Sequence, residues 1–133
     1  MATELRLVIV TPEKTLLDQA VDSISVPMFD GQMGILPGRA PIVGRMGAGE
    51  LRYREGGTES SFFVDGGFLQ IKGPVVSVLT NRSLTLADID VESAQTELSE
   101  AIARKPASDE EFVTRDRDID RARKMVALAK KPR

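Results

Sequence analysis

The chain of 133 residues has no cysteine, no histidine and no tryptophan, and a single tyrosine. Lacking cysteine, it can form neither disulfides nor thiolate metal sites; lacking histidine, it is without the commonest general base and metal ligand. Aromatics make up 5% of the residues, few for a surface that stacks on sugars or bases. No apolar run approaches the roughly 20 residues needed to cross a bilayer. Met1-Ala2-Thr3-Glu4 shows no basic stretch followed by an apolar one, so neither secretion nor organelle import is expected. A formal net charge of −2 argues against a dedicated nucleic-acid binder. With 41% hydrophobic and 29% charged residues, the composition fits a soluble binding or structural module better than an enzyme.

Glycine is distributed unevenly. All eleven glycines lie between Gly31 and Gly73, and the sequence changes its periodicity after them. Up to about Leu86 it reads as short strands with period-two alternation. Leu5, Leu7 and Ile9 alternate with Glu4, Arg6 and Val8 until Pro12, and Ile24 and Val26 alternate with Ser23 and Ser25 until Pro27 interrupts. Leu51 and Tyr53 are interleaved with Glu50, Arg52 and Arg54, as on a sheet with one wet face. Gly56-Gly57 reads as a hairpin turn into Phe62-Phe63-Val64, and Asp65-Gly66-Gly67 as another into Phe68-Leu69-Gln70-Ile71. Gly73-Pro74 leads into Val75-Val76-Ser77-Val78-Leu79. Many short strands at this spacing predict a β-sandwich.

From about Asp90 the period is helical. Ala94, Leu98, Ala101 and Ile102 fall on one stripe, and Lys105-Pro106 ends that helix because the residue before proline is pushed out of the α region. Ser108-Asp109-Glu110-Glu111 is a capping-box pattern for a second helix with Phe112, Ile119, Ala122, Val126 and Ala129 on its apolar side. That helix is predicted to end near Lys130, before Pro132. The fold class is thus β plus α: an N-terminal β-sandwich over residues 1–87 and a C-terminal antiparallel two-helix hairpin over residues 88–133. Residues 90–111 carry seven acidic groups against two basic, a net of −5, while residues 112–133 carry eight basic against three acidic, a net of +5. Opposed charge on the two arms is expected to support a closed hairpin, although exposed pairs contribute only about 0–1 kcal/mol each. An alanine-rich interface adds little burial, so an extended form could compete where a partner offers acidic surface.

The run Gly31-Gln32-Met33-Gly34-Ile35-Leu36-Pro37-Gly38-Arg39-Ala40-Pro41 is the most specific motif. Its glycines and prolines predict a shaped, rigid turn between strands with no chemistry of its own. It resembles the G-x-x-G-I-x-P-G-H-A-P signature of the ε subunit of F-type ATP synthases (called δ in mitochondria), with Arg39 where the family usually has histidine. Val64-Asp65-Gly66-Gly67-Phe68-Leu69-Gln70-Ile71 resembles the family's second signature, with Gln70 in place of glutamate. Val76-Ser77-Val78-Leu79-Thr80 is similar to the valine-rich strand that follows it, and Asp88-Ile89-Asp90 to the entry of the family's helical hairpin. The likeness covers nearly the whole chain.

That resemblance implies a non-catalytic rotor subunit of the central stalk. Family members bind the γ subunit through the sandwich and rest one end of it on the c-ring, which assigns Phe29, Asp30, Gly31, Gln32 and Arg39 to the ring contact. The family often has an acidic residue where Gln32 stands, so the contact here would be less charged. Their helical arm can extend toward the α and β subunits of the catalytic head and oppose ATP hydrolysis. Here Arg115, Arg121, Arg123 and Lys124 would meet an acidic loop of β. The resemblance places the protein at the cytoplasmic face of a bacterial plasma membrane or another energy-transducing membrane, attached only through the complex. Some members bind ATP through Ile/Leu-Asp-x-x-Arg-Ala; the stretch here is Ile89-Asp90-Val91-Glu92-Ser93-Ala94, and serine cannot imitate a guanidinium fork. No cofactor is therefore expected.

Blander readings bear on the same residues. Gly31 to Gly38 is no phosphate loop, since no Gly-Lys-Ser/Thr follows. The basic residues of the last helix interleave with Asp116, Asp118 and Asp120, which favours a solvated face over a nucleic-acid surface. Asp88, Asp90 and Glu92 sit at a helix start, where they serve the helix dipole better than a metal. A free-standing β-sandwich that binds a ligand or peptide is the alternative function.

Overall fold

Alternation sets the first strand: Leu5, Leu7 and Ile9 are buried while Arg6 between them is exposed, over β1 (Leu5–Val10). The computed structural model describes residues 5–130 of the chain; Glu4 and Pro132, assigned above to a strand face and a helix stop, lie outside them. The chain divides into two compact units, residues 1–83 and 84–133. In the first unit β1 is followed by β2 (Thr15–Val21), β3 (Ser23–Met28), β4 (Gly31–Ile35), β5 (Ile42–Glu55), β6 (Thr58–Lys72) and β7 (Val75–Leu79). Their order across the sheet is β2-β1-β7-β6-β5-β3-β4. All pairs along the path are antiparallel except β1 with β7, which run parallel with Leu7 beside Val76 and Ile9 beside Val78.

β5 and β6, of 14 and 15 residues, are far longer than the usual strand of about 5–6. They pair with each other from Ile42 against Ile71 to Glu55 against Thr58, closed by the Gly56-Gly57 turn. Beyond that mutual pairing each is shared out differently along its length. The second half of β6 pairs with β7, whereas the second half of β5 pairs with β3 through Tyr53 opposite Ile24. One long hairpin thereby belongs to both layers of a sandwich. Between the layers lies one cluster that includes Leu7, Ile9, Val26, Ile35, Leu51, Val64, Leu69, Val76 and Val78, each fully buried. At roughly 1.5–3 kcal/mol per buried large aliphatic side chain, this cluster is the main stabilising term of the unit.

Three expectations need correction. Asp65-Gly66-Gly67 is not a hairpin turn but the middle of β6. The strand bends there, with φ of +71° at Gly66 and +115° at Gly67, while its pairing with β5 resumes in the same register on both sides. A Cβ on Gly67 would run into the backbone carbonyl of Leu79 on β7, so the site needs glycine for space as well as for conformation. Pro27 does not interrupt its strand. β3 continues through it, because the missing N–H falls where the β3–β5 register shifts, between Ser25 and Met28. The Gly31 to Pro41 run is only partly a turn, since Gly31 to Ile35 form β4 against β3 and only the remainder is loop.

In the second unit a 3-10 turn (Leu86–Asp88) precedes α1 (Val91–Ala103) and α2 (Asp109–Ala129). The Asp90 side chain caps α1 by accepting from the amides of Glu92 and Ser93, and Ser108 caps α2 by accepting from the Glu111 amide at 3.2 Å. Glu111 reaches back as a capping box requires, but to the Ala107 amide at 2.6 Å, one residue earlier than the usual partner. Ala94 and Ala101 of α1 and Ala122 and Met125 of α2 are the buried residues of the two helices. Met125 was not on the expected stripe, whereas Phe112 and Ile102, which were, are 48% and 46% exposed. The apolar period survives; its phase on α2 is turned toward Met125 by the register of the hairpin.

Replacing Gly67 with alanine is expected to lower the stability of the first unit by about 3 kcal/mol or more, combining backbone strain with a clash against rigid backbone. Gly34→Ala, where a Cβ meets nothing within 4 Å, is the comparison and should change stability by less than about 0.5 kcal/mol. Urea unfolding of the two variants checks both figures.

Candidate functional site

Among the described residues no three His, Cys, Asp or Glu side chains are grouped as metal ligands require. Nor is any helix among them long and apolar enough to cross a membrane. What the two units offer instead are surfaces, and each has a definite construction.

On the first unit, β3 and β4 are joined by the two residues Phe29 and Asp30, with Met28 paired to Gly31. This tip is fastened to β5 by the Phe29 amide, which donates to the Arg45 carbonyl at 3.1 Å. The side chain of Phe29 is left 70% exposed, and Asp30 is exposed beside it. Gln32 is turned to its own sheet, its amide donating to the Glu50 carbonyl at 2.8 Å and to the Ser25 hydroxyl at 3.1 Å. Arg39 folds back in the same way, donating to the Gly34 carbonyl at 3.2 Å and to the Met33 sulfur at 3.4 Å. The five residues assigned to this surface thus split: Phe29 and Asp30 present themselves outward, Gly31 supplies the φ of +134° after the turn, and Gln32 and Arg39 brace the backbone. Leu36, 65% exposed in the loop after β4, was not singled out, although an apolar residue inside a glycine-proline loop was the available signal.

A second apolar surface lies on the same unit. Phe68 of β6 pairs with Leu79 of β7 on one side and Arg45 of β5 on the other. Phe68 and Leu79 are 58% and 47% exposed, and Val43, two residues from Arg45 on β5, is exposed as well. A shallow cleft of about 290 Å³ opens beside Phe68, lined also by Val10, Pro12 and Thr80. Sheet faces of this kind are what protein partners cover.

On the second unit, the four basic residues assigned to the arm are not equivalent. Arg115 points at the end of α1, donating to the carbonyls of Ala101 and Ile102 at 3.3 Å each. Arg121 pairs with Asp118 at 3.1 Å and Lys124 with Asp120 at 3.0 Å, both within α2, while Arg123 is exposed. Across the hairpin, Arg104 Nη1 meets Asp118 Oδ2 at 2.6 Å. This ion pair opposes the expected polarity: the cation comes from the acidic arm and the anion from the basic one. Net charge per arm therefore does not identify the contact that joins them. Ser93, where an ATP-binding arginine would stand in the resembled motif, donates its hydroxyl to Asp90 at 3.0 Å and belongs to the cap of α1.

A family model described as the ATP synthase delta/epsilon chain beta-sandwich domain matches residues 4–85. The chain belongs to the ATP synthase delta/epsilon family. Among curated relatives, the ATP synthase epsilon chain of Rhodopirellula baltica is 41% identical over 119 residues, covering 90% of this chain and 93% of its own. That of Desulforamulus reducens is 35% identical over 130 residues, covering 98% and 93%. A chain in the Euglena gracilis mitochondrial ATP synthase (OSCP/F1/c-ring) superposes with a TM-score of 0.84 at 23% identity, over 96% of this chain and 82% of that one. A chain from the central stalk and c-ring of the Tetrahymena thermophila enzyme gives 0.76 at 13% identity, over 94% and 96%. At those identities the two structures speak for the fold alone. The β-sandwich domain that this family model describes is the first unit above, and in this chain two helices follow it.

Within the hairpin, Asp118 is the carboxylate that pairs from one helix to the other. Burial pushes its carboxyl up, but the Arg104 hydrogen bond and the charges of Arg121, Arg104 and Arg117 together outweigh that and hold it below the ordinary aspartate value. A carboxyl depressed in the folded state stabilises it fully above the unfolded value, near 3.9, and that contribution is lost as pH falls through the folded value. Helicity measured by circular dichroism is therefore expected to fall below about pH 4, and the acid-sensitive part of that loss should shrink in Asp118→Asn.

Proposed function

We propose that this chain is a non-catalytic central-stalk subunit of an F-type ATP synthase. It would couple ion flow through the c-ring to ATP synthesis in the catalytic head. The observation that carries this reading is the 41% identity to an ATP synthase epsilon chain over 93% of that relative's length, which spans sandwich and hairpin alike. In this reading residues 1–87 form the part that joins the complex, and residues 88–133 form a regulatory arm. The tip made by Phe29 and Asp30 faces the c-ring, with Gly31 shaping its turn and Gln32 and Arg39 bracing the backbone behind it. The face bearing Val43, Phe68 and Leu79 supplies apolar area for the γ subunit. Arg115, Arg121, Arg123 and Lys124 belong to the arm, which in its extended form meets an acidic surface of the α and β subunits and restrains ATP hydrolysis. Attachment to the cytoplasmic face of a bacterial plasma membrane follows from membership of the complex, with no insertion of this chain into the bilayer.

Deleting residues 107–133 is expected to raise ATP hydrolysis by the assembled enzyme while ATP synthesis stays largely intact. Assays of both activities on membranes from the truncated strain check this, and unchanged hydrolysis would remove the inhibitory role. The ring-facing loop is probed separately by Gly38→Val. Gly38 has a φ of +87° with open space around it, so the variant should still fold, at a cost of about 1–2 kcal/mol. It should displace the loop fastened by Arg39 and lower the ATP made per unit of ion gradient. Normal coupling with normal assembly would rule out this loop as the rotor contact.

A further inference from the structure

Gly34 is a glycine without a local reason. It lies inside β4, its φ is not positive, and a Cβ there would meet nothing within 4 Å. Glycine in a strand costs conformational entropy, and where neither turn nor packing demands it, it often marks the close approach of a ligand or another backbone. Gly34 lines a groove of about 450 Å³ on the first unit. Strand pairing supplies the other walls. Leu51 and Tyr53 are turned into the core, so Arg52 and Arg54 of β5 point to the opposite face. Ser25 of β3 stands opposite Arg52 and Ser23 opposite Arg54, and Ser25 is in turn opposite Gly34 of β4. Leu36, 65% exposed, lies at the rim.

The cations of this groove are not fully engaged. Arg52 lies 3.7 Å from Glu50, too long for a hydrogen bond, and its Nε is buried with no hydrogen-bond partner among the described residues. A guanidinium donor left in that condition carries a desolvation cost that an acceptor from outside would offset. Arg54 meets one carboxylate, that of Glu59, at 3.3 Å, and its side chain is 64% exposed. Ser25 Oγ accepts from the Gln32 amide, which leaves its own proton to donate.

We infer that this groove is a docking site for an extended acidic segment of a partner protein, carrying two carboxylates two residues apart. The Cα atoms of Arg52 and Arg54 are roughly 7 Å apart along one strand, and side chains at i and i+2 of an extended segment repeat at the same distance on one face. Each carboxylate therefore meets one guanidinium fork. Adjacent acids would point to opposite sides of the segment and engage one fork between them. A single phosphate likewise leaves one fork unused. The bare backbone at Gly34 lets the main chain of the segment approach, and Leu36 offers it an apolar contact. The groove is separate from the Phe29-Asp30 tip and from the face bearing Val43, Phe68 and Leu79, and the inference does not rest on the rotor reading.

The probe is the blocked peptide acetyl-Val-Glu-Thr-Glu-Val-amide, added to the nitrogen-15-labelled full chain and followed by the NMR shifts of backbone amides. Saturable binding in the millimolar range or tighter is expected, moving the amides of Ser23, Ser25, Gly34, Arg52 and Arg54. The isomer acetyl-Val-Glu-Glu-Thr-Val-amide should bind about tenfold more weakly, and so should the first peptide to Arg52→Gln or Arg54→Gln. Glu59→Gln removes the carboxylate that competes for Arg54, and should tighten binding severalfold. Gly34→Val fills the groove without changing any charge and should abolish binding; open space and the absence of a positive φ let that variant fold. No shift at millimolar peptide, equal binding of the two isomers, or undiminished binding to Gly34→Val overturns the inference. Inorganic phosphate that moves the same amides as strongly as the peptide also overturns it, making the groove a site for small oxyanions. Should Arg52→Gln fail to fold, Arg54→Gln and Gly34→Val decide the matter by the same readout.

Discussion

The close approach of β6 to β7 at Gly67 is the constraint on which the first unit depends. A side chain there would occupy the place of the Leu79 carbonyl, and the positive φ at Gly66 and Gly67 turns the strand without breaking its register. Because β6 bends and does not end, its two halves serve different layers, and β5, paired along nearly its whole length, follows it. The outer strands inherit their places from that hairpin: β7 and then β1 and β2 build outward from one half, β3 and β4 from the other. The Phe29-Asp30 tip sits where it does because β3 is anchored on β5 beyond the bend. A local backbone requirement thus sets the position of a surface almost forty residues away in sequence.

Much of this was legible in the residue pattern, and the failures have physical causes. Alternation identified Leu5, Leu7 and Ile9, Ile24 and Val26, and Leu51 and Tyr53 as core, and all seven are buried. Both helix starts were readable because capping is a local matter of one side chain and nearby amides. Asp-Gly-Gly was misread because the chemistry that permits a hairpin turn also permits a bend within a strand, and only the partner strand distinguishes them. No strand is legible over Thr15–Val21, where Leu16-Leu17 breaks the alternation. At the candidate surfaces, Arg115 could be marked as one of several cations. Which of them turns inward depends on the helix–helix register, and that is a tertiary property.

The two units are stabilised in different ways. The first has a continuous core of large aliphatic side chains; its charged contacts, such as Arg6 with Asp18, are mostly exposed and contribute little. The second buries mainly alanine and relies on caps and a few directional bonds between charged groups. Salt and acid act on the second kind of contact far more than on the first. A part that must hold its shape and a part that must change it would be built with this contrast.

Arg39 carries a further consequence for the loop it fastens. The resembled family pattern places histidine at this position, a side chain whose charge changes within the physiological range. A guanidinium remains a donor throughout that range, so its grip on the Gly34 carbonyl and Met33 sulfur is indifferent to the acidity of its surroundings. With no histidine anywhere in the chain, the loop has no proton-operated fastening at all. Where the acidity around it changes, this loop would keep one geometry throughout.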